Sequence, residues 1–166
     1  SESTNYGFFF GKSNQNYTFY ANTIHDAENT TCDMAVRGAL DNKAQALYRG
    51  LIKIPQHARN TRGYQKVKTM LLSKDAVANA IPSLQIDNCD VRASHEATVG
   101  QIDKEKLFYM RARGLNEEEA RTLLIKVFFA QTLQLIKSED IKSILNSLIN
   151  KESGEKQTTA IDEGVN

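Results

Sequence analysis

The sequence predicts a mainly β protein with a helical C-terminal segment, on the evidence of its hydrophobic spacing. Apolar and polar residues alternate in several runs before residue 100, which is typical of strands that bury one face. At Asp103 the spacing changes to the three- and four-residue intervals of an amphipathic helix. Many short strands joined by irregular links fit a sandwich, a barrel or a β-solenoid. No strict repeat of fixed length selects among these three.

The clearest strands are predicted over residues 34–40 and 48–54, which are separated by the polar stretch 41–43. Further short strands are expected at residues 6–10, 17–21, 69–72 and 83–86 and near Val91. The two prolines fit turns or strand edges, where a missing N–H is harmless. These are Pro55 and Pro82.

Three helices are predicted from residues that fit N-terminal caps. The caps are Asp103, Asn116 and Ser138. The first helix is expected over residues 104–113, with Gly114 just past its end. Glu119 stands three residues after Asn116, which resembles a capping box. We therefore expect domains at residues 1–100 and 101–150, followed by a polar, disordered tail at 151–166.

The second helix is predicted to be apolar on more than one side. Its main stripe is Ala120, Leu123, Leu124, Val127, Phe128 and Leu135. Ile125 and Phe129 lie off that stripe, so a further element or subunit is expected to cover them. The third helix carries its own stripe of Ile141, Ile144, Leu145 and Leu148.

Composition excludes several classes of protein. The 166 residues fit one globular domain or one domain with an appendage. A net charge of +1 gives no field that would favour nucleic acid or an anionic membrane, and the apolar runs are too short to span a bilayer. The opening residues lack a Met and a signal-peptide layout, as in an excised fragment. Two cysteines favour a reducing compartment, the cytoplasm or a plastid or other organelle.

Two catalytic motifs are considered and set aside. Gly11-Lys12-Ser13 lacks the earlier glycine of a phosphate-binding P-loop, because Tyr6 stands at that position. The three histidines are far apart in the sequence, and nothing groups them into a triad. They are His25, His57 and His95.

One cluster has metal-ligand chemistry, since Cys89, His95 and Glu96 occur within eight residues. The competing interpretation is that Cys89 is a small core residue and His95 a hydrogen-bonded turn residue. The spacing matches no structural zinc pattern, so composition alone favours that second interpretation.

The same region resembles the C-terminal signature of the SufB/SufD family of iron–sulfur cluster assembly proteins. The resemblance lies in residues 81–86, 90–100, 107–115 and 118–121, and residues 48–53 and 71–73 resemble the strands that precede this signature in the family. It covers about residues 20–135. The resemblance implies a right-handed parallel β-helix, of which residues 1–100 are the terminal turns, followed by a small helical domain.

Four positions bear on whether the chain is nearer the SufB or the SufD side of the family. SufB-type members have a cysteine where this chain has Val67. SufD-type members often have a cysteine where this chain has Ala93, but they share the histidine that corresponds to His95. Glu96 after that histidine is a SufB-like feature. The resemblance therefore implies a non-catalytic scaffold subunit nearer the SufD type, with an archaeal or ancestral type of either as the alternative.

The resemblance also implies partners. A SufB–SufD pair docks on a SufC-type ABC ATPase, and a transient iron–sulfur cluster forms between the paired subunits; a homodimer is the other pairing. His95 is the expected ligand, Glu96 a weaker candidate as orienter or second ligand, and Cys89 weaker still. Two cysteines and one well-placed histidine are too few to hold a cluster alone. The alternatives are a β-solenoid that binds a polymer or sugar, disfavoured by the lack of Trp, and a β-helix lyase, for which no acid–base pair stands out.

Overall fold

A computed structural model describes residues 1–154, which form seven strands and three helices. The strands are β1 (Glu2–Gly11), β2 (Asn16–Ile24), β3 (Thr31–Leu40), β4 (Gln45–Ile54), β5 (Thr61–Leu71), β6 (Val77–Ile86) and β7 (Val91–Gln101). The helices are α1 (Lys104–Ala112), α2 (Glu117–Leu133) and α3 (Glu139–Ser153). The strands belong to one compact unit, Ser1–Asp103, and the helices to a second that starts at Lys104.

The strands coil into a parallel β-solenoid. The odd-numbered strands form one sheet in the order β1-β3-β5-β7, and the even-numbered strands form the other in the order β2-β4-β6. Every ladder is parallel, so the chain crosses to the other sheet after each strand. The coil makes about three turns before the helices. This confirms the parallel β-helix followed by helices.

A near-repeat of about thirty residues underlies the coil, although the sequence shows no fixed repeat. Glu2 pairs with Thr31, and Thr61 pairs with Val91. Equivalent positions lie on the same side of the sheet but differ in residue type; Met34, for example, pairs with Gln65. The repeat is therefore one of geometry, which a search for similar residues does not find.

Strand β5 is much longer than predicted. The prediction began at residue 69, whereas the strand begins at Thr61. Its first inward positions are Thr61, Gly63 and Gln65, which are buried although none is hydrophobic. Burial alternates from Thr61 to Thr69, but hydrophobicity does not follow that alternation in the first half of the strand.

The corners of the solenoid use residues with positive φ. These are Ser13, Asn29, Asn42 and Asn60. Successive corners are joined by hydrogen bonds: the Asn60 side chain donates to the Asn29 side chain, and the Ser13 backbone N–H donates to the side-chain Oδ1 of Asn42 at 3.1 Å. Asparagine suits these sites because it tolerates the left-handed region. Gly11-Lys12-Ser13 thus belongs to a strand-to-strand corner, whereas a P-loop leads into a helix.

Two apolar clusters fill the solenoid. One contains Phe9, Leu40, Ala44, Ala46 and Ala76. The other contains Cys32, Met34, Ile52, Ile54 and Ala58. Both lie between the two sheets, because alternate residues of each strand point to the same side. The second cluster continues into the terminal turn through Val91 and Ala93, which brings β7 into the core.

Helix boundaries agree closely with the capping signals. Asn116 and Glu119 form a reciprocal capping box at the start of α2. Ser138 caps α3 through the amide of Ile141. Gly114 has a φ of 100°, as expected for a residue just past a helix end. Helix α3 runs past the predicted boundary at residue 150 to Ser153, where Gly154 provides a left-handed cap. The remaining predicted tail, residues 155–166, lies outside the described residues.

The predicted stripe of α2 was only partly correct, because Ala120 and Leu124 are buried but Leu135 is exposed. Ile125 and Phe129 are 3% and 1% exposed, whereas Leu123 and Val127 of the predicted stripe are exposed. The buried face is instead Ala120, Leu124, Ile125, Phe129, Thr132 and Leu133. The physical reason is that the helix is apolar on both sides, so spacing alone does not select the side that packs. Of the helices within residues 1–154, none has the length and apolar character needed to cross a membrane.

Candidate functional site

His95 lies on β7, the last strand of the four-stranded sheet, and faces the interior side of the coil. Ala93 packs against the buried core of the solenoid. Because side chains alternate along a strand, His95 projects from the same face two residues later. The ring is nevertheless exposed, because within residues 1–154 β7 has only β5 as a ladder neighbour. His95 is thus an inward residue at an open end.

Beneath His95 in the ladder lies Gln65, which pairs with it in register. Gln65 is 2% exposed, and its Nε2 donates to the Tyr48 hydroxyl at 2.7 Å. Its Oε1 is buried and has no hydrogen-bond partner among the described residues. Burial raises the pKa of Tyr48, so its hydroxyl stays protonated at neutral pH.

Glu96 faces the outer side of the sheet, opposite to His95. Its carboxylate lies 2.9 Å from Lys68 Nζ and 3.3 Å from Lys66 Nζ, and both lysines belong to β5. The hydrogen bond from Lys68, with a smaller one from Lys66, lowers the pKa of Glu96 below its usual value. The carboxylate is therefore ionised and held in an ion-pair cluster. The fold does not bring it together with His95, since neighbouring residues of a strand point in opposite directions.

Cys89 lies in the corner between β6 and β7, and its thiol is free and exposed. The prediction considered it as a small core residue or a weak ligand, and its exposure contradicts the core interpretation. Within the described part of the chain, no three side chains of the His, Cys, Asp and Glu types are grouped as a metal site. Among residues 1–154, His95 is consequently the candidate ligand that lies on the interior side of the terminal turn.

His25 is a buried histidine to which sequence analysis assigned no role. It is 4% exposed, and its Nδ1 lies 2.7 Å from Thr30 Oγ1. Its Nε2 has no partner among the residues that the structure describes. Burial lowers the pKa of His25 below the ordinary value of 6.5, so the ring is neutral in the folded protein.

His25 is expected to make the solenoid less stable in mild acid. The unfolded chain binds a proton at this histidine below pH 6.5, whereas the folded chain resists it. The free energy of unfolding is therefore unaffected by this proton above pH 6.5. It falls as the pH drops from 6.5 toward the lowered pKa of the folded protein, by up to about 1.4 kcal/mol per pH unit. Urea unfolding between pH 5 and 8 measures this, and His25→Gln should flatten the profile. An equal slope of the free energy of unfolding against pH in the wild type and in His25→Gln would contradict this prediction. The control is His57→Gln, because His57 is exposed.

Sequence reasoning missed Gln65 and Tyr48. Both are inward residues of strands, but Gln65 reads as a polar break in the hydrophobic pattern, and residues 61–68 were not predicted as strand. The sequence signal that could have identified Gln65 is its separation of thirty residues from His95, which is one turn of the coil. That separation has a meaning only once the length of a turn is known.

The fold and the exposed inward histidine define a class: a parallel β-solenoid with an open terminal turn and a small helical unit. Comparison with models of protein families narrows this class to one family. The model of the SUF system FeS cluster assembly SufBD core domain matches residues 1–128. The chain belongs to the SufBD family.

Curated relatives agree with this assignment. The iron–sulfur cluster assembly protein SufD of Escherichia coli is 38% identical over 103 residues, which are 62% of this chain and 24% of that protein. SufD of Bacillus subtilis is 31% identical over 141 residues, 85% of this chain and 32% of that protein. A SufBD family protein of Synechocystis is 36% identical over 111 residues, 67% of this chain and 24% of its own length. The matched region is thus a quarter to a third of these relatives.

Proposed function

We propose that this chain is the C-terminal part of a SufD-like, non-catalytic scaffold subunit, which contributes His95 to an iron–sulfur cluster that it shares with a partner subunit. The cluster is cargo, held transiently. The observation that carries the proposal is the exposed position of His95 on the interior side of the terminal turn. The assembly role printed in the names of the relatives supports it.

A shared site follows from the number of ligands. An iron–sulfur cluster usually takes four thiolate or imidazole ligands. The terminal turn presents one imidazole on its interior side, with the small residues Ala93 and Ala97 beside it on the strand. The remaining ligands are therefore assigned to a SufB/SufD-type subunit, or to a second copy of this chain, that covers the open end.

The edges of the last turn give such a partner a place to pair. Strands β6 and β7 are the outer strands of their sheets in the described chain, so each has a row of backbone groups available for another strand. Pro82 interrupts the row on β6, as is tolerated on edge strands. We place Glu96 in a supporting role, joining β7 to β5 through Lys66 and Lys68. Cys89, exposed in the adjoining corner, is kept as a minor candidate ligand.

The helical unit is the proposed docking surface for a SufC-type ABC ATPase. Helix α3 has an exposed apolar stripe formed by Ile141, Ile144 and Leu148. Its opposite side is attached to α2, since Ile149 is buried and Thr122 donates a hydrogen bond to the Ser153 carbonyl at 3.0 Å.

The free thiols Cys32 and Cys89 agree with a reducing compartment such as the cytoplasm.

Replacing His95 by alanine is the direct test of the proposed function. The full complex of the protein, its SufB-type partner and the ATPase is purified after coexpression, and iron and acid-labile sulfide are measured per complex. We expect a loss of cluster of at least about 10-fold, because a ligand is removed. Ser94→Ala, on the outer side of the same strand, is the matched control and should retain the cluster. Equal cluster content in the His95 variant and the control would overturn the assignment.

A further inference from the structure

We propose that Gln65 is a positioning residue for His95: its buried Oε1 accepts a hydrogen bond from one ring N–H of His95, so that the other ring nitrogen faces the open end with a free lone pair. The inference rests on the proposed function of His95 and names the residue that fixes its ring.

The first observation is the unpaired acceptor. Gln65 has one half of its amide engaged, with Nε2 donating to Tyr48, while Oε1 is buried without a partner in residues 1–154. Buried polar atoms are nearly always hydrogen-bonded, because an unmade bond in the interior is costly. A neighbouring hydrogen-bond donor is therefore expected for Oε1 of Gln65.

The second observation is the position of His95. Gln65 and His95 are directly opposite in a parallel ladder, where strands lie about 4.8 Å apart and paired side chains share a face. The same face of β7 offers no other polar group nearby, since Ala93 and Ala97 flank His95. An imidazole always has at least one N–H at neutral pH, and rotation about its side-chain bonds can turn that N–H toward the strand below.

The third observation is that the Gln65 amide is held in place. It lies above Gly50 of β4, where a Cβ atom would overlap both Nε2 of Gln65 and the Tyr48 ring. The amide therefore occupies the space that a side chain at residue 50 would take. A fixed acceptor selects which nitrogen of the ring carries the proton, and so which nitrogen is left to bind a metal.

The tautomer of His95 tests this in the full chain without any cluster present. The ¹⁵N-labelled protein is studied by long-range ¹H–¹⁵N NMR above pH 7.5, where His95 is assigned by its loss in His95→Ala. We expect one predominant tautomer in the wild type, a mixture in Gln65→Met, and recovery of one tautomer in Gln65→Glu, which keeps an acceptor. Thr69→Val removes a polar group from the same face of β5 and should leave the tautomer unchanged.

The same variants are then compared in the assembled complex. Gln65→Met should lower cluster content by about 10-fold, as for other groups that orient a ligand. Tyr48→Phe, which only releases the Gln65 amide, should weaken the tautomer preference and serves if Gln65→Met does not fold. A mixed tautomer in the wild type, or an unchanged one in Gln65→Met and Tyr48→Phe, would overturn the inference. If His95→Ala loses the cluster but the tautomer does not change in the Gln65 and Tyr48 variants, only the role of Gln65 is rejected. If the tautomer changes in those variants but His95→Ala keeps the cluster, the role of Gln65 is supported and the proposed function is rejected.

Discussion

Alanine at Gly38 is expected to destabilise the solenoid by about 3 kcal/mol, a cost typical of overfilling a packed core or displacing a phenyl ring. Gly38 pairs with Phe9 in the β1–β3 ladder, and a Cβ atom there would overlap the Phe9 ring. That ring is 8% exposed and lies 4.8 Å, centroid to centroid, from Phe19. Phe9 also lines a cavity, so the added methyl group either displaces the ring from Phe19 toward that cavity or separates the strands.

Urea unfolding followed by far-UV circular dichroism measures this effect. Gly100→Ala is the matched control, because a Cβ atom at Gly100 would meet no atom within 4 Å. We expect that variant to stay within about 0.5 kcal/mol of the wild type. Combining Gly38→Ala with Phe9→Ala should cost less than the sum of the two single changes, since the ring that clashes is gone. A Gly38 variant as stable as the Gly100 variant would contradict the packing described for the first cluster.

The proposed docking of the SufC-type ATPase predicts that charge on the exposed stripe of α3 weakens that binding at least about 30-fold, the effect of removing one central contact worth about 2 kcal/mol. Ile144 and Leu148 are 61% and 51% exposed, so lysine at either position should leave the folded helical unit intact. Either lysine would place an ammonium group in the proposed apolar interface with the ATPase. Calorimetric titration of the SufC-type ATPase into each full-chain variant measures the change in Kd.

The control for docking is Ser143→Lys, which adds the same charge one residue before Ile144 on an exposed position. Adjacent residues of a helix point about 100° apart, so this lysine lies off the apolar stripe. Its Kd should stay within a few-fold of the wild type. Should Ile144→Lys and Ser143→Lys bind the ATPase equally well, the stripe is not the docking surface.

Local chemistry explains which features the sequence could predict. Helix ends depend on one or two neighbouring residues, and Asn116, Glu119 and Ser138 identified them correctly. The side of α2 that packs depends on distant residues, and therefore the apolar spacing placed Phe129 off the main stripe although it lies on the buried face. The coil itself was left open among three β architectures, and only the family resemblance selected the solenoid.

The same division holds for the candidate site. Residue type and family resemblance identified His95 as a ligand candidate. The pleat of β7, which turns Glu96 to the other side of the sheet, follows from elementary strand geometry once the strand is known. Gln65 was out of reach, because it is thirty residues away in the chain and only the register of the coil brings it beneath His95.

The terminal position of β7 has a consequence for dynamics. In a solenoid each turn is stabilised by its neighbours, so local opening is easiest where a neighbour is missing. β7 has one ladder neighbour in the described chain, whereas β3 and β5 each have two. Amide hydrogens of β7 should therefore exchange with solvent faster than those of β5, and a subunit that pairs with this strand should slow them. The strand that carries His95 would then become rigid only as the proposed shared site is completed, which would couple ordering of the proposed ligand to assembly of the subunits.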